Sequence, residues 1–344
     1  MTILLFIAGV VLLVAGGELL VRGAARLAAA TGISPLVIGL TVVAFGTSSP
    51  ELAVSVQASI AGEVDIAVGN VVGSNIFNVL LILGLSAAIV PLVVSAQLVR
   101  LDVPIMIGVS ALLLGLSLDG LLSRFECALL AAGLVTYIIT QIVLSRRNGT
   151  EMEETAIETG NPLLNIVLIA AGLGLLVLGS RWLVQASVQI AEAFGVTNLV
   201  IGLTVVAAGT SMPELATSVI AGLRGQRDIA VGNIIGSNIF NILAVLGISG
   251  MVSPAGIPVS NAALTMDIPV MVAVALLCLP IVSKYAIRRW EGVLFVAYYL
   301  LYTGYLILDS AAHEGLAEYR AVVISTVLPL TLFTVLVSAV RRRS

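Results

Sequence analysis

Two glutamates, Glu51 and Glu214, stand in strongly apolar surroundings, each closing a short polar motif: Gly46 to Glu51 reads GTSSPE and Gly209 to Glu214 reads GTSMPE. A carboxylate in such a setting is costly and marks a functional site. Thr47 and Glu51 are four residues apart, as are Thr210 and Glu214, so a helix sets each pair on one face. Pro50 and Pro213 lack an N–H and clash with the preceding turn, which frees carbonyls around Ala44 to Gly46 and around Ala207. A second motif follows each first one, GNVVGSNIFN (Gly69 to Asn78) and GNIIGSNIFN (Gly232 to Asn241). In it Ser74 and Asn78 are four apart, as are Ser237 and Asn241, while Ser48 and Ser211 add hydroxyls beside the glutamates. Every one of these groups offers oxygen, the ligand set of a hard cation, and calcium takes about 6–8 oxygens in irregular geometry. No His or Cys joins them, since the single histidine, His313, is expected in an outer loop, and a soft transition-metal site is disfavoured. Neither motif supplies a basic partner for its glutamate. Brought together, the two carboxylates repel when both are ionised, so one takes a proton or a cation neutralises the pair. They match one Ca2+, a small group of Na+, or two protons, and a site that such ions occupy only in exchange gives antiport.

The motifs belong to a repeat. Val37 to Ala87 recurs 163 residues further on without a gap, and roughly two-thirds of its positions are identical, which makes it a true internal repeat. Two Gly- and Pro-interrupted apolar segments in corresponding halves point to a transporter binding site. The structural alternative is close helix packing by Gly, Ser and Thr with the glutamates paired internally.

The elements that carry these residues are membrane helices. Hydrophobic residues make up 59% of the 344-residue chain and charged ones 10%, against about 25% charged in a soluble domain. The result is an all-α polytopic membrane protein. No basic patch with interleaved aromatics is present, so nucleic-acid binding is excluded as a reading. Cys127 and Cys278 fall in apolar runs and read as buried thiols. The N-terminal apolar run has no positive segment before it and reads as a retained first helix, not a cleaved signal peptide. A span needs about 20 apolar residues. On that rule eleven spans are expected, near residues 2–21, 33–60, 66–90, 101–118, 124–144, 163–182, 196–222, 229–251, 264–282, 288–308 and 320–340. The two long segments of each half are too rich in Gly, Pro and hydroxyl residues to be plain helices, and broken helices survive at membrane depth only where buried in protein or lining a cavity.

Arginine and lysine set the orientation. With the N-terminus outside, Arg22, Arg26, Arg100, Arg146, Arg147, Arg224, Arg227, Lys284, Arg288, Arg289 and Arg341 to Arg343 lie inside, and only Arg124, Arg181 and Arg320 lie outside. Five spans per half is odd, so the second half enters upside down. The expected organisation is a first membrane repeat (1–144), a short acidic cytoplasmic linker (145–162), a second, inverted repeat (163–310) and an extra C-terminal helix (311–344) with a cytoplasmic end.

On the paired G-T-S-x-P-E and G-S-N-x-x-N motifs the chain resembles the calcium/cation antiporter superfamily, specifically the sodium/calcium exchanger family in its compact prokaryotic form. The resemblance covers residues 1–310; the G-N-x-x-E repeat of the calcium/proton branch is not found at these positions. It implies ten core helices in two inverted-topology five-helix repeats and four central ion sites. Its ligands would be Ala44 (carbonyl), Thr47, Ser48, Glu51, Ser74 and Asn78 from the first repeat. Ala207 (carbonyl), Thr210, Ser211, Glu214, Ser237 and Asn241 would come from the second. Both glutamates would take Ca2+ while Na+ uses the hydroxyls and carbonyls around them, and the first and sixth helices would slide across the rest. The transported ions are Ca2+ and Na+, with no cofactor, and the lipid bilayer is the only partner implied. Some relatives, including potassium-dependent ones, carry Asp where this chain has Asn241, which argues against potassium co-transport. The eleventh span has no counterpart in the ten-helix pattern.

Other polar residues have plainer readings. Glu18 and Arg181 hold corresponding places in the two halves but are expected on opposite sides and not in contact. Asp102 and Asp267, each two residues before a proline, read as helix N-caps, and so do Asp65 and Asp228. Asn70 and Asn233 cap or line the path, and Trp182 and Trp290 read as interfacial anchors. The reading is a Ca2+/Na+ antiporter. Within the same architecture the rival is a Ca2+/H+ antiporter using the same two glutamates. A cation channel lacks a ring of repeated subunits, and an intramembrane enzyme lacks its catalytic pairs.

Overall fold

The computed structural model describes residues 2–147, 161–193, 207–282 and 285–310, together with 316 and 319. The expected span near 320–340, most of the linker, the start of the span near 196–222, and Lys284, His313, Arg320 and Arg341 to Arg343 lie outside the described residues.

Helix α1 (Thr2–Thr31) leads through a short turn to α2 (Pro35–Thr47), which is bent by 45° from α3 (Ser49–Ala61). Helix α4 starts as Val64–Phe77 and continues through a π-helical stretch, Asn78–Leu83, into Gly84–Ile89. Helices α5 (Leu98–Leu116) and α6 (Arg124–Arg147) complete the first half. In the second half come α7 (Pro162–Ala193), the short α8 (Ala207–Thr210), α9 (Met212–Leu223) and α10 (Arg227–Val252). Helix α11 runs from a π-helical stretch, Ala263–Asp267, into Ile268–Val282, and α12 spans Arg289–Ser310. Among the described residues seven helices are long and apolar enough to cross a membrane, eight when α2 and α3 count as one span. Helix α9 and residues 263–278 of α11 are shorter apolar helices.

Burial separates a centre from a rim. The most apolar stretch of α10 is 100% buried and that of α4 is 72% buried, against 28% for α1 and 22% for α6. The rim helices turn Ile3, Leu4, Phe125, Leu129, Leu163 and Ile166 outward, the apolar exterior that a bilayer requires. The motif helices thus hold the middle, as buried polar groups in a membrane protein must.

The halves interlock by exchanging equivalent contacts. Strand β1 (Leu92–Val93) pairs with β4 (Ala286–Ile287), and β2 (Leu121–Leu122) with β3 (Ile257–Pro258), both antiparallel. Each half therefore gives one strand to each ribbon. Helices α1 and α7 lie side by side along glycines repeated every seven residues. A Cβ on Gly9 would sit 2.9 Å from the Gly179 carbonyl oxygen, one on Gly16 2.8 Å from that of Gly172, and one on Gly23 2.9 Å from that of Asn165. Small residues at such positions let backbones touch and dispersion do the work. The α7 side chains of this pair lie over both helix breaks, Leu173 against Gly46 and Val184 against Gly209.

Several sequence expectations are corrected here. Asp102 and Asp267 cap nothing. Their helices begin earlier, where Ser95 Oγ accepts from Leu98 N (3.3 Å) and Ser260 Oγ from Ala263 N (3.2 Å). The chain then passes through a π-helical turn before the proline, so each aspartate is interior to its helix. Asp102 is fully buried, with Gln97 and Tyr137 donating to it at 3.4 Å and Gln141 also donating. Asp267 accepts from Tyr302 at 3.1 Å, and both Asp–Tyr pairs are spaced 35 residues apart. Asp65 and Asp228 are the second residues of α4 and α10, not caps, because those helices start at Val64 and Arg227. The GSN segments do not unwind; they stay helical and widen into π turns that begin at Asn78 and Asn241. Two other expectations are met: Glu18 pairs with Arg224 (2.7 Å) and Arg22 (3.4 Å) and not with Arg181, and Cys127 and Cys278 are buried free thiols.

Candidate functional site

The two PE motifs build matching helix breaks. Ser48 (φ −82°, ψ 6°) separates α2 from α3, and Ser211 (φ −88°, ψ 8°) separates α8 from α9. The proline two residues on cannot donate to the carbonyl four residues behind it, which is Gly46 or Gly209. Ser180 of α7 donates its hydroxyl to the Gly209 carbonyl. The Ala44 carbonyl accepts from Ser48 N at 3.0 Å, with Thr47 Oγ1 3.4 Å away. Ala207 opens the short helix before the second break.

At each break a serine reaches across to the other half. Ser48 Oγ donates to Glu214 Oε1 at 3.0 Å, and Ser211 Oγ donates to Glu51 Oε1 at 3.0 Å. Ser211 Oγ also lies 3.3 Å from Ser74 Oγ. Thr210 stands beside the Glu51 carboxylate and Thr47 beside that of Glu214. The glutamates are 0% and 1% exposed, and among the described residues no arginine or lysine pairs with either. The reading in which they are paired internally with a basic group finds no support.

Ser74, Asn78, Ser237 and Asn241 are buried on α4 and α10, the two central helices. Six oxygens of the motif residues have no hydrogen-bond partner: Glu51 Oε2, Glu214 Oε2, Asn78 Oδ1, Thr210 Oγ1, Ser237 Oγ and Asn241 Oδ1. An unpartnered buried polar atom costs about 1–3 kcal/mol, more when charged. Six within the motifs, two of them carboxylate oxygens, would be a severe defect in a structural core. The same set is what a desolvated cation needs. Among the described residues no group of three or more His, Cys, Asp or Glu could hold a metal ion, consistent with a site made mostly of hydroxyls and amides.

A second layer fixes the breaks. Asn70 Nδ2 donates to the Glu51 carbonyl (3.2 Å) and Ser55 Oγ (2.9 Å); Asn233 Nδ2 repeats this with Glu214 (3.4 Å) and Ser218 (2.9 Å). Asn233 Oδ1 also accepts from Thr47 Oγ1 at 3.0 Å. Asn75 and Asn238 were missed in the sequence. Asn241 Nδ2 donates to Asn75 Oδ1 (3.0 Å), Asn75 Nδ2 to the Asn238 carbonyl (3.2 Å), and Asn238 Nδ2 to the Ile234 carbonyl (2.7 Å). Their signal was an identical amide in both copies, next to the serine of each GSN.

A shell of long apolar helices around a polar centre is the build of an integral membrane protein, and the fold and family are those of transporters. The profile of the sodium/calcium exchanger protein family matches residues 1–143 and 164–308, and the chain belongs to that family. It is 38% identical to the putative antiporter CaxA of Alkalimonas amylolytica, over 88% of this chain and 98% of that protein. To the sodium/calcium exchanger MaX1 of Methanosarcina acetivorans it is 33% identical, over 87% and 96%. Its structure resembles the sodium-calcium exchanger NCX_Mj soaked with 10 mM Na+ and zero Ca2+, with a TM-score of 0.75 and 33% identity over 88% of this chain and 98% of that one. These matches make it a compact exchanger of prokaryotic type.

Proposed function

We propose that the protein exchanges Ca2+ for Na+ across the cell membrane, using one central site that opens to each side in turn. The observation that carries this reading is the set of unpartnered buried oxygens around Glu51 and Glu214. The ligands are the Ala44 and Ala207 carbonyls with Thr47, Ser48, Glu51, Ser74, Asn78, Thr210, Ser211, Glu214, Ser237 and Asn241. One Ca2+ balances the two carboxylates, while Na+ ions replace it through the hydroxyls and carbonyls.

The two halves are inverted repeats, with the N-terminus outside and five spans in each. The crossed Ser–Glu bonds and the reciprocal β-ribbons support a two-fold relation between the halves, since each contact has its mate with the halves interchanged, while the odd number of spans and the arginine and lysine positions carry the inversion and orientation. The α1–α7 pair slides as one body over the helix breaks, exposing the site on one side and then the other. MaX1 and NCX_Mj are named as sodium/calcium exchangers, which favours Na+ over H+ as the coupling ion.

The test is radioactive calcium uptake into proteoliposomes loaded with Na+, beside a set driven only by a pH gradient, each with Glu51→Gln and Glu214→Gln. Uptake that needs internal Na+ and is lost in both variants supports the proposal. Uptake driven by the pH gradient alone replaces Na+ by H+. No uptake under either gradient removes calcium as the substrate.

A further inference from the structure

The three amides Asn238, Asn75 and Asn241 form a chain whose direction is fixed from one end. The Asn238 backbone carbonyl can only accept, so Asn75 turns its Nδ2 toward it, at 3.2 Å. That leaves Asn75 Oδ1 facing Asn241, which must answer with its own Nδ2, at 3.0 Å. The consequence falls on the other end of the Asn241 amide: its Oδ1 is left buried and without a partner. An asparagine offers a cation an oxygen in one orientation and repels it with an N–H2 in the other.

The corresponding position in the first half shows what happens without such a neighbour. Asn238, the counterpart of Asn75, spends its amide nitrogen on the Ile234 carbonyl of its own helix. Asn78, the counterpart of Asn241, keeps neither side-chain atom partnered, so no contact selects its orientation.

We propose that Asn75 is a positioning residue that holds the Asn241 carboxamide with its oxygen toward the transported cation. This rests on the reading of the site as a cation site. Asn75 touches no ion itself; it acts through Asn241, and in doing so sets how strongly the second repeat competes for Ca2+ against Na+.

A carboxylate presents oxygen at both ends and needs no such orientation, which supplies the test. Calcium binding to the purified full-length protein is measured by Ca2+-dependent thermal stabilisation for Asn75→Ala, Asn241→Asp and the double variant, with Na+ competition run in parallel. The expected result is a loss of roughly tenfold in Ca2+ affinity for Asn75→Ala, the equivalent of one oriented hydrogen bond. In the Asn241→Asp background the same substitution should cost less than about threefold, because nothing is left to orient. Equal losses in both backgrounds would overturn the proposal and reduce Asn75 to a packing residue, since its bond to the Asn238 carbonyl is lost in both. Asn75→Ser takes the place of alanine where the alanine variant is not monodisperse. If the unmodified protein binds no Ca2+, the reading of the cargo fails, and the cycle is read with Na+ as probe, where the same background dependence is expected.

Discussion

Gly172→Ala should weaken the seam between α1 and α7, and its neighbour Gly174→Ala should not. A Cβ at position 172 would lie 2.6 Å from Leu20 N, 2.8 Å from the Gly16 carbonyl oxygen and 3.0 Å from Leu20 Cα. All three are backbone atoms, so no side-chain rotation makes room. Ordinary contacts sit near 3.5–4.0 Å, so the helices must part locally by ~1 Å, a gap that forfeits roughly half the dispersion of the atoms on either side. Overpacking of this kind costs about 1–3 kcal/mol. At position 174 the glycine is exposed, with nothing within 4 Å of an added Cβ among the described residues. There alanine only gains the helix propensity that glycine lacks, roughly 0.5–1 kcal/mol. The two variants should therefore differ by about 2 kcal/mol or more in unfolding free energy, although they make the same chemical change two residues apart. Unfolding midpoints of the detergent-purified proteins, measured side by side, decide the matter. Equal midpoints would refute the reasoning, because they would mean that the backbones are not in contact at Gly16 and Gly172. If α1 and α7 also move as one body, calcium exchange should slow in Gly172→Ala and stay unchanged in Gly174→Ala.

The remaining predictions concern single polar contacts. Ser211→Ala removes the donor to Glu51 and the contact with Ser74, whereas Ser48→Ala removes only the donor to Glu214; at about 1.5–3 kcal/mol for a bond to a charged group, calcium affinity measured by competition should fall in both and further in Ser211→Ala. Asp102→Ala strands two donors, Gln141 and Tyr137, while Gln97 keeps its bond to Gln141 Oε1 at 2.8 Å, and should destabilise by ~2 kcal/mol or more; Asp267→Ala, which loses the bond from Tyr302, should cost about half as much in the same unfolding assay. Glu18→Gln breaks an ion pair whose arginines are 55% and 62% exposed, so stability should change by less than about 1 kcal/mol, and by less again in high salt.

The glutamates and their oxygen-rich motifs were legible in the sequence because the bilayer makes each polar residue conspicuous and the repeat shows it twice. Residues that meet across the halves were legible only as types: nothing in the order of residues said that Ser48 belongs to Glu214 and not to Glu51. The aspartates were misread for a local reason. A proline two residues after an Asp looks like the first turn of a helix, but Ser95 and Ser260 had already started those helices, and a π turn absorbed the proline. Asn75 and Asn238 carried the right signal, identical amides in apolar runs, yet sat between motif residues that already had roles. Their function depends on which way an amide faces, which only a three-dimensional hydrogen-bond chain decides. Among the described residues, eight of the eleven expected spans are met by helices long and apolar enough to cross a membrane, the bent pair counting as one; those near 196–222 and 264–282 are met by shorter apolar helices, and the last lies beyond the described residues.

The crossed serine–glutamate bonds have a consequence for biosynthesis. Glu51 receives its hydroxyl from a residue 160 positions further along the chain, and Glu214 receives its own from one 166 positions back. While the ribosome is still making the second half, the first half holds a carboxylate at membrane depth that no residue yet synthesised can answer in the native manner. The native hydrogen bond to Glu51 therefore forms only once Ser211 has been made, so the polar centre of the first half is completed by the second.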